Sequence, residues 1–100
     1  MEEEKLRIYI SGKISGIEED APALFRKGTE EIDAIGHIGI NPMEFPHDHD
    51  KTWESYMKED IMSMCQCDGL YMLRNWTESK GAIFEHYIAK QLGMKILYER

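Results

Sequence analysis

The chain has 100 residues, a formal net charge of −7 at pH 7, and 42% hydrophobic against 31% charged residues. That composition belongs to a globular chain, and the length suits one domain, expected over residues 1–100, with a small but real core. The acidic excess argues against a nucleic-acid polymer as main partner, while leaving room for a small anion held by backbone N–H groups.

No basic stretch leads into an apolar run near the start, so no secretory signal is expected. No apolar run approaches the length of a membrane span, and the expected setting is cytoplasmic with no membrane partner. Cys65 and Cys67 are one residue apart, a poor arrangement for a structural disulfide. With His47 and His49 they match no familiar zinc spacing, so neither metal nor cofactor is expected. Asn75-Trp76-Thr77 fits a glycosylation sequon, but without a signal the match is read as chance.

In chain order, Leu6–Ile10 is a short apolar run that stops at Ser11-Gly12, as a buried parallel strand meets a loop. The loop Ser11-Gly12-Lys13-Ile14-Ser15-Gly16 is rich in small residues and has one lysine, which suits close wrapping of a ligand or a plain turn. Asp20 is the expected cap of a first helix with Pro22 in its first turn, Leu24, Phe25, Ile32 and Ile35 facing inward, and Gly36 at its end. Ile38–Asn41 reads as strand two, stopped by Pro42. A polar loop over 43–51 carries His47-Asp48-His49-Asp50, read as solvated rather than metal-binding.

Thr52 is the expected cap of a second helix with Trp53, Tyr56, Met57, Ile61 and Met64 inward. Asp60 falls near the centre of that apolar face, and such an acid is rarely buried unless paired, hydrogen-bonded or protonated. Gly69–Leu73 reads as strand three, entered through Asp68 as a turn residue. The loop Arg74–Glu78 follows, in which Trp76 either stacks on a planar ligand or roofs the core.

Ser79 is the expected cap of a third helix running to about Leu92, and Gly81 leaves its first turn open, so the helix start can cradle a phosphate. Phe84, Ile88, Ala89 and Leu92 are its expected apolar stripe, and Glu85 falls inside it. Two acids, each on the apolar face of its own helix, point to a carboxylate pair converging on one pocket. Lys95–Tyr98 reads as strand four.

Alternating strands and helices make this an α/β chain, a flavodoxin- or Rossmann-like three-layer sandwich around a four-stranded parallel sheet. Ligands of such sheets bind beyond the carboxyl ends of the strands, where Ser11, Gly12, Asn41 and the Ser79 helix start are expected. Tyr9, near the end of strand one, is placed to reach toward Glu85.

Four stretches, Ile8-Tyr9-Ile10-Ser11-Gly12, Tyr56-Met57-Lys58-Glu59-Asp60, Cys67-Asp68-Gly69 and Ser79-Lys80-Gly81-Ala82-Ile83-Phe84-Glu85, give the chain its resemblance to the nucleoside 2-deoxyribosyltransferase superfamily. The likeness spans nearly the whole chain and is strongest to a small uncharacterised branch of phage and bacterial genomes. It implies that Glu85 is a nucleophile, that Tyr9 holds it, and that Asp60 helps handle the leaving base. Serine at position 79 resembles the nucleoside 5′-monophosphate N-glycosidases rather than the base-exchanging transferases, and so implies a 5′-phosphate there. Lys13–Gly16 would add donors from the other side. The chain departs from the enzymes at Ile83, where they usually keep glycine, and at His86-Tyr87, where they keep Leu-Gly.

The expected partner is a small nucleotide or nucleoside, with cleavage or transfer of its N-glycosidic bond as the leading function. A non-catalytic nucleotide-binding or sensing module is the alternative. A third reading ties Glu85 and Asp60 into an ion-pair network with Arg74 or Lys13. Apolar residues expected at the surface, among them Met62, Ile83 and Tyr87, together with the superfamily's habit, imply a homo-oligomer, a dimer or higher.

Overall fold

The computed structural model describes residues 4–47 and 51–100. Four strands, β1 (Arg7–Ser11), β2 (Ile38–Ile40), β3 (Gly69–Met72) and β4 (Lys95–Tyr98), form one sheet in the order β2-β1-β3-β4. All three pairings are parallel, with Tyr9 opposite Ile40 on one side and Leu70 on the other. Three helices, α1 (Ala21–Ala34), α2 (Trp53–Cys65) and α3 (Lys80–Gln91), alternate with the strands and complete a three-layer α/β sandwich. Among the described residues no helix is long and apolar enough to cross a membrane.

The period of two along a strand divides the core between the sheet faces. Ile8 and Ile10 pack with Tyr71 and Leu73 against Phe25 and Ile32 of α1. Tyr9 turns the other way and packs with Leu70 and Met72 against Met64 of α2 and Ala82 and Ala89 of α3. Ser11, two residues beyond Tyr9, shares its face and is buried at 1% exposure. Asp68 prolongs the β1–β3 ladder: its N–H donates to the Arg7 carbonyl, and its Oδ2 accepts from the Arg7 N–H.

Several helix faces are rotated from their expected positions. In α1 the buried residues are Ala21, Phe25, Gly28 and Ile32, whereas Leu24 and Ile35 are exposed at 37% and 61%. Small residues set this face, because Ala21 and Gly28 let the helix approach the sheet where Leu24 cannot; a Cβ on Gly28 would stand 2.8 Å from Leu73 Cδ2. Asp20 precedes α1 but its side chain makes no capping hydrogen bond. Thr52 and Ser79 do cap: Thr52 Oγ1 accepts from Ser55 N–H at 3.2 Å, and Ser79 Oγ from Ala82 N–H at 3.1 Å.

In α2, Met57 and Met64 are buried, while Trp53 at the first turn is more exposed than its expected inward position. In α3 the inner face is Ala82, Glu85 and Ala89. Phe84 and Leu92, expected inside, are 43% and 60% exposed. Leu92 lies past the last helical residue, and Phe84 is 100° round from Glu85. The loop after β2 begins with a single 3₁₀ turn, Pro42–Glu44, which the sequence reading did not anticipate.

Candidate active site

The chain leaves β1 toward β2 on one side and reaches β3 on the other, so the loops after β1 and β3 part above the junction of these two strands. That divergence makes a crevice at the carboxyl edge of the sheet. A cleft of about 740 Å³ opens there, and Tyr9, Ser11, Asp60, Ser79 and Glu85 all line it. Asn75, expected in the loop Arg74–Glu78, ties the two loops together: its Oδ1 accepts from the Lys13 N–H at 3.0 Å.

Glu85 is the centre of the cleft. It is 5% exposed, and both of its carboxyl oxygens are held from β1. Ser11 Oγ donates to Oε1 at 2.6 Å, and Tyr9 OH donates to Oε2 at 3.1 Å. Because Tyr9 and Ser11 are two residues apart on one strand, the pleat delivers both hydroxyls to the same helical side chain. Burial pushes Glu85 up to about 7; the Ser11 hydrogen bond opposes that, the Asp60 charge adds to it, and the Tyr9 hydrogen bond opposes it again. Tyr9 itself is held well above its ordinary value, by burial first and then by the negative charge of Glu85 and Asp60.

Asp60 faces the same cleft from the inner side of α2, three residues after Met57 and four before Met64. Burial raises its carboxyl to about 6, against the pull of His47 and with the repulsion of Glu59. Its Oδ1 is buried and has no hydrogen-bond partner among the described residues. A buried oxygen left in this way needs either a proton of its own or a donor brought by a ligand. The Asp60 charge raises the Glu85 carboxyl, so the protonation of one acid is linked to that of the other.

The ion-pair arrangement expected in the third reading is not what holds these acids. Lys13 Nζ lies 3.7 Å from Glu78 Oε1, and the Arg74 N–H donates to Glu99 Oε1 at 2.7 Å. Among the described residues neither Glu85 nor Asp60 has an ion-pair partner.

Of the other residues singled out from the sequence, Gly12, Lys13, Ile14, Ser15 and Gly81 line the cleft. A Cβ on Gly12 would stand 2.8 Å from Leu73 Cδ1, so glycine is needed there for the loop to cross the end of β3. Gly81 keeps a tight approach to α2, with a Cβ there falling 3.1 Å from Met57 Sδ.

Three expected contacts lie elsewhere. Asn41 is turned into its own loop, where its Oδ1 accepts from the Met43 N–H at 3.0 Å. Gly16 forms an exposed turn at φ +89°. Trp76 packs on the core and stacks on His86 with ring centroids 4.3 Å apart, so it does not line the cleft. Ile83 and Tyr87 face outward and are also outside the cleft.

Trp53 and Lys80 line the cleft but were not read as site residues from the sequence. A signal for Lys80 was present: a cation in the first turn of a helix opposes the helix dipole. Of the alternating His-Asp cluster, His47 reaches the cleft, its Nδ1 2.6 Å from Glu59 Oε1, whereas Asp48, His49 and Asp50 lie outside the described residues. Among the described residues no three His, Cys, Asp or Glu side chains gather as metal ligands. Cys65 and Cys67 are free thiols.

Fold and site together define an α/β protein with a buried, hydroxyl-held glutamate and a second acid beside it in a cleft at the switch point of a parallel sheet. Residues 6–98 match the family described as a domain of unknown function, DUF4406, and the chain belongs to that family. Comparison with curated proteins and with solved structures yields no match.

Proposed function

We propose that this cleft breaks the N-glycosidic bond of a nucleoside 5′-monophosphate, by hydrolysis or by transfer to a second base, with Glu85 as the nucleophile. The observation that carries the reading is the presence in one cleft of Glu85, oriented through both oxygens, and Asp60, whose buried Oδ1 has no hydrogen-bond partner among the described residues. The likeness of the four sequence stretches to the nucleoside 2-deoxyribosyltransferase superfamily supports the same chemistry.

In the reaction, a Glu85 oxygen attacks the anomeric carbon and the C–N bond breaks, its electron pair leaving with the base. Asp60 gives its proton to the departing base. Water, or a second base, then attacks the same carbon and releases Glu85, with Asp60 taking up the nucleophile's proton. Tyr9 and Ser11 fix the carboxylate for attack and favour its ionised form.

The acid pair sets the pH dependence. Attack needs Glu85 ionised and Asp60 protonated, yet burial gives Glu85 the higher value, about 7 against about 6. The reactive form is therefore the one in which the proton shared by the pair rests on Asp60 and Glu85 is ionised. The rate follows a bell whose limbs belong to the pair and whose top lies between the two values.

The test is base release from a panel of ribo- and deoxyribonucleotides, read by chromatography. Wild-type protein should release base, Glu85→Ala should lose the activity by about a thousandfold or more, and Asp60→Asn should fall strongly and lose the limb at high pH. Saturable nucleotide binding by a folded wild type that releases no base would assign the cleft to sensing instead.

Met62, Ile83, Phe84 and Tyr87, all 43% exposed or more, support assembly as a homo-oligomer. Light scattering after gel filtration reads that directly: a monomer at all concentrations would dismiss it.

A further inference from the structure

Three basic side chains line the cleft, and two of them face carboxylates: Lys13 Nζ is 3.7 Å from Glu78, and His47 Nδ1 is 2.6 Å from Glu59. Lys80 differs. Its Nζ lies over the Trp53 ring, 4.1 Å from the centroid, and among the described residues no carboxylate is within ion-pair distance of it. The contact bridges the first turns of α2 and α3 at the cleft wall. An indole face attracts the ammonium without cancelling its charge.

Lys80 is thus an uncompensated cation in a protein of net charge −7, in a first turn where the helix dipole disfavours it. It stands beside Ser79 and Gly81, in a cleft that also holds the buried Glu85 carboxyl. Carboxylate charge on Asp60, Glu78 and Glu85 in this cleft repels a phosphate dianion, and Lys13 Nζ faces Glu78 at 3.7 Å. A charge-assisted hydrogen bond to phosphate is stronger than an exposed cation–π contact, so an arriving phosphate draws the ammonium off the ring.

We propose that Lys80 is the specificity-determining residue by which the cleft distinguishes a phosphate monoester from its unphosphorylated counterpart, resting on Trp53 in the free protein and moving onto phosphate when the ligand binds. The move uncovers the Trp53 ring face for the planar part of the ligand. This rests on the nucleotide reading of the cleft and adds to it a named residue and an exchange of partners.

The experiment compares binding of a nucleoside 5′-monophosphate, the matching nucleoside and inorganic phosphate to wild type, Lys80→Gln, Lys80→Arg and Trp53→Phe, with base release followed alongside. Lys80→Gln should weaken the monophosphate by about tenfold or more and change the nucleoside by less than about twofold, with Lys80→Arg largely restoring the difference. Tryptophan emission of the wild type should change saturably with monophosphate and with inorganic phosphate, and that change should be absent in Lys80→Gln and Trp53→Phe. Equal weakening of monophosphate and nucleoside, or unchanged monophosphate binding in Lys80→Gln, overturns the proposal while base release keeps the glycosidase reading standing. Wild-type protein that binds no nucleotide and releases no base overturns both.

Discussion

The two faces of the sheet are built on the same strands and differ in what they enclose. On the α1 side Ile8, Ile10, Phe25, Ile32 and Leu73 close an apolar layer, with one phenol at its edge, where Tyr71 OH donates to Glu31 at 3.2 Å. On the other side the layer begins in the same way, with Leu70, Met64 and Met72, but at the carboxyl end of β1 it gives way to Tyr9, Ser11, Asp60 and Glu85. Burying a carboxyl costs free energy that an apolar side chain would not, so the second face gives up stability where the first gains it. The difference separates a layer that holds the fold from a layer that holds a site.

The largest stability change expected from breaking that contrast is on the closed face. Ile32 is 1% exposed, and Ile32→Ala should cost about 2–5 kcal/mol in denaturant unfolding, equally at pH 5 and pH 8.

On the open face the sign reverses and depends on pH. Glu85 binds its proton more tightly folded than unfolded, so its contribution is fully present below pH 4.5 and is lost as pH rises toward about 7. Glu85→Gln removes that loss and keeps a side chain able to accept from Tyr9. Stability at pH 8 should rise by on the order of 1–3 kcal/mol, with little change at pH 4.5. A fall at pH 8 would mean that the carboxylate is a net structural asset.

A smaller effect sharpens the account within the site. Ser11→Ala removes the shorter of the two hydrogen bonds to Glu85 and leaves Tyr9 in place. The pH profile of the pair should move up by about one pH unit or less. No movement would show that the Ser11 hydroxyl does not favour the charged form.

Much of the fold could be read from the chain, since β-branched runs ending at Ser11-Gly12 and Asn41-Pro42 and caps at Thr52 and Ser79 are local signals. Rotation of the helix faces could not. Leu24, Phe84 and Leu92 are apolar enough to be counted as core, but Ala21, Gly28, Ala82 and Ala89 decide the contact, because close approach to the sheet favours the small side chain. The same logic explains the site. Glu85 and Asp60 stood out as acids on apolar faces, a local anomaly. Trp53 gave no comparable signal, and Trp76 left two readings open, a stacked ligand or a roof on the core, of which the structure shows the second, because an indole's partner depends on which loop folds beneath it. Ser11 was read as a ligand contact, whereas in the structure its hydroxyl is directed to Glu85.

The central claim is that burial beside Asp60 keeps the Glu85 carboxyl partly protonated at neutrality. Carbon-13 NMR of the glutamate side-chain carboxyls, with the Glu85 signal assigned from Glu85→Gln, measures it without any substrate. The account predicts a titration near pH 7 that moves to lower pH in Asp60→Asn, once the neighbouring charge is gone. A Glu85 signal titrating near 4.5, and unmoved by Asp60→Asn, would contradict it.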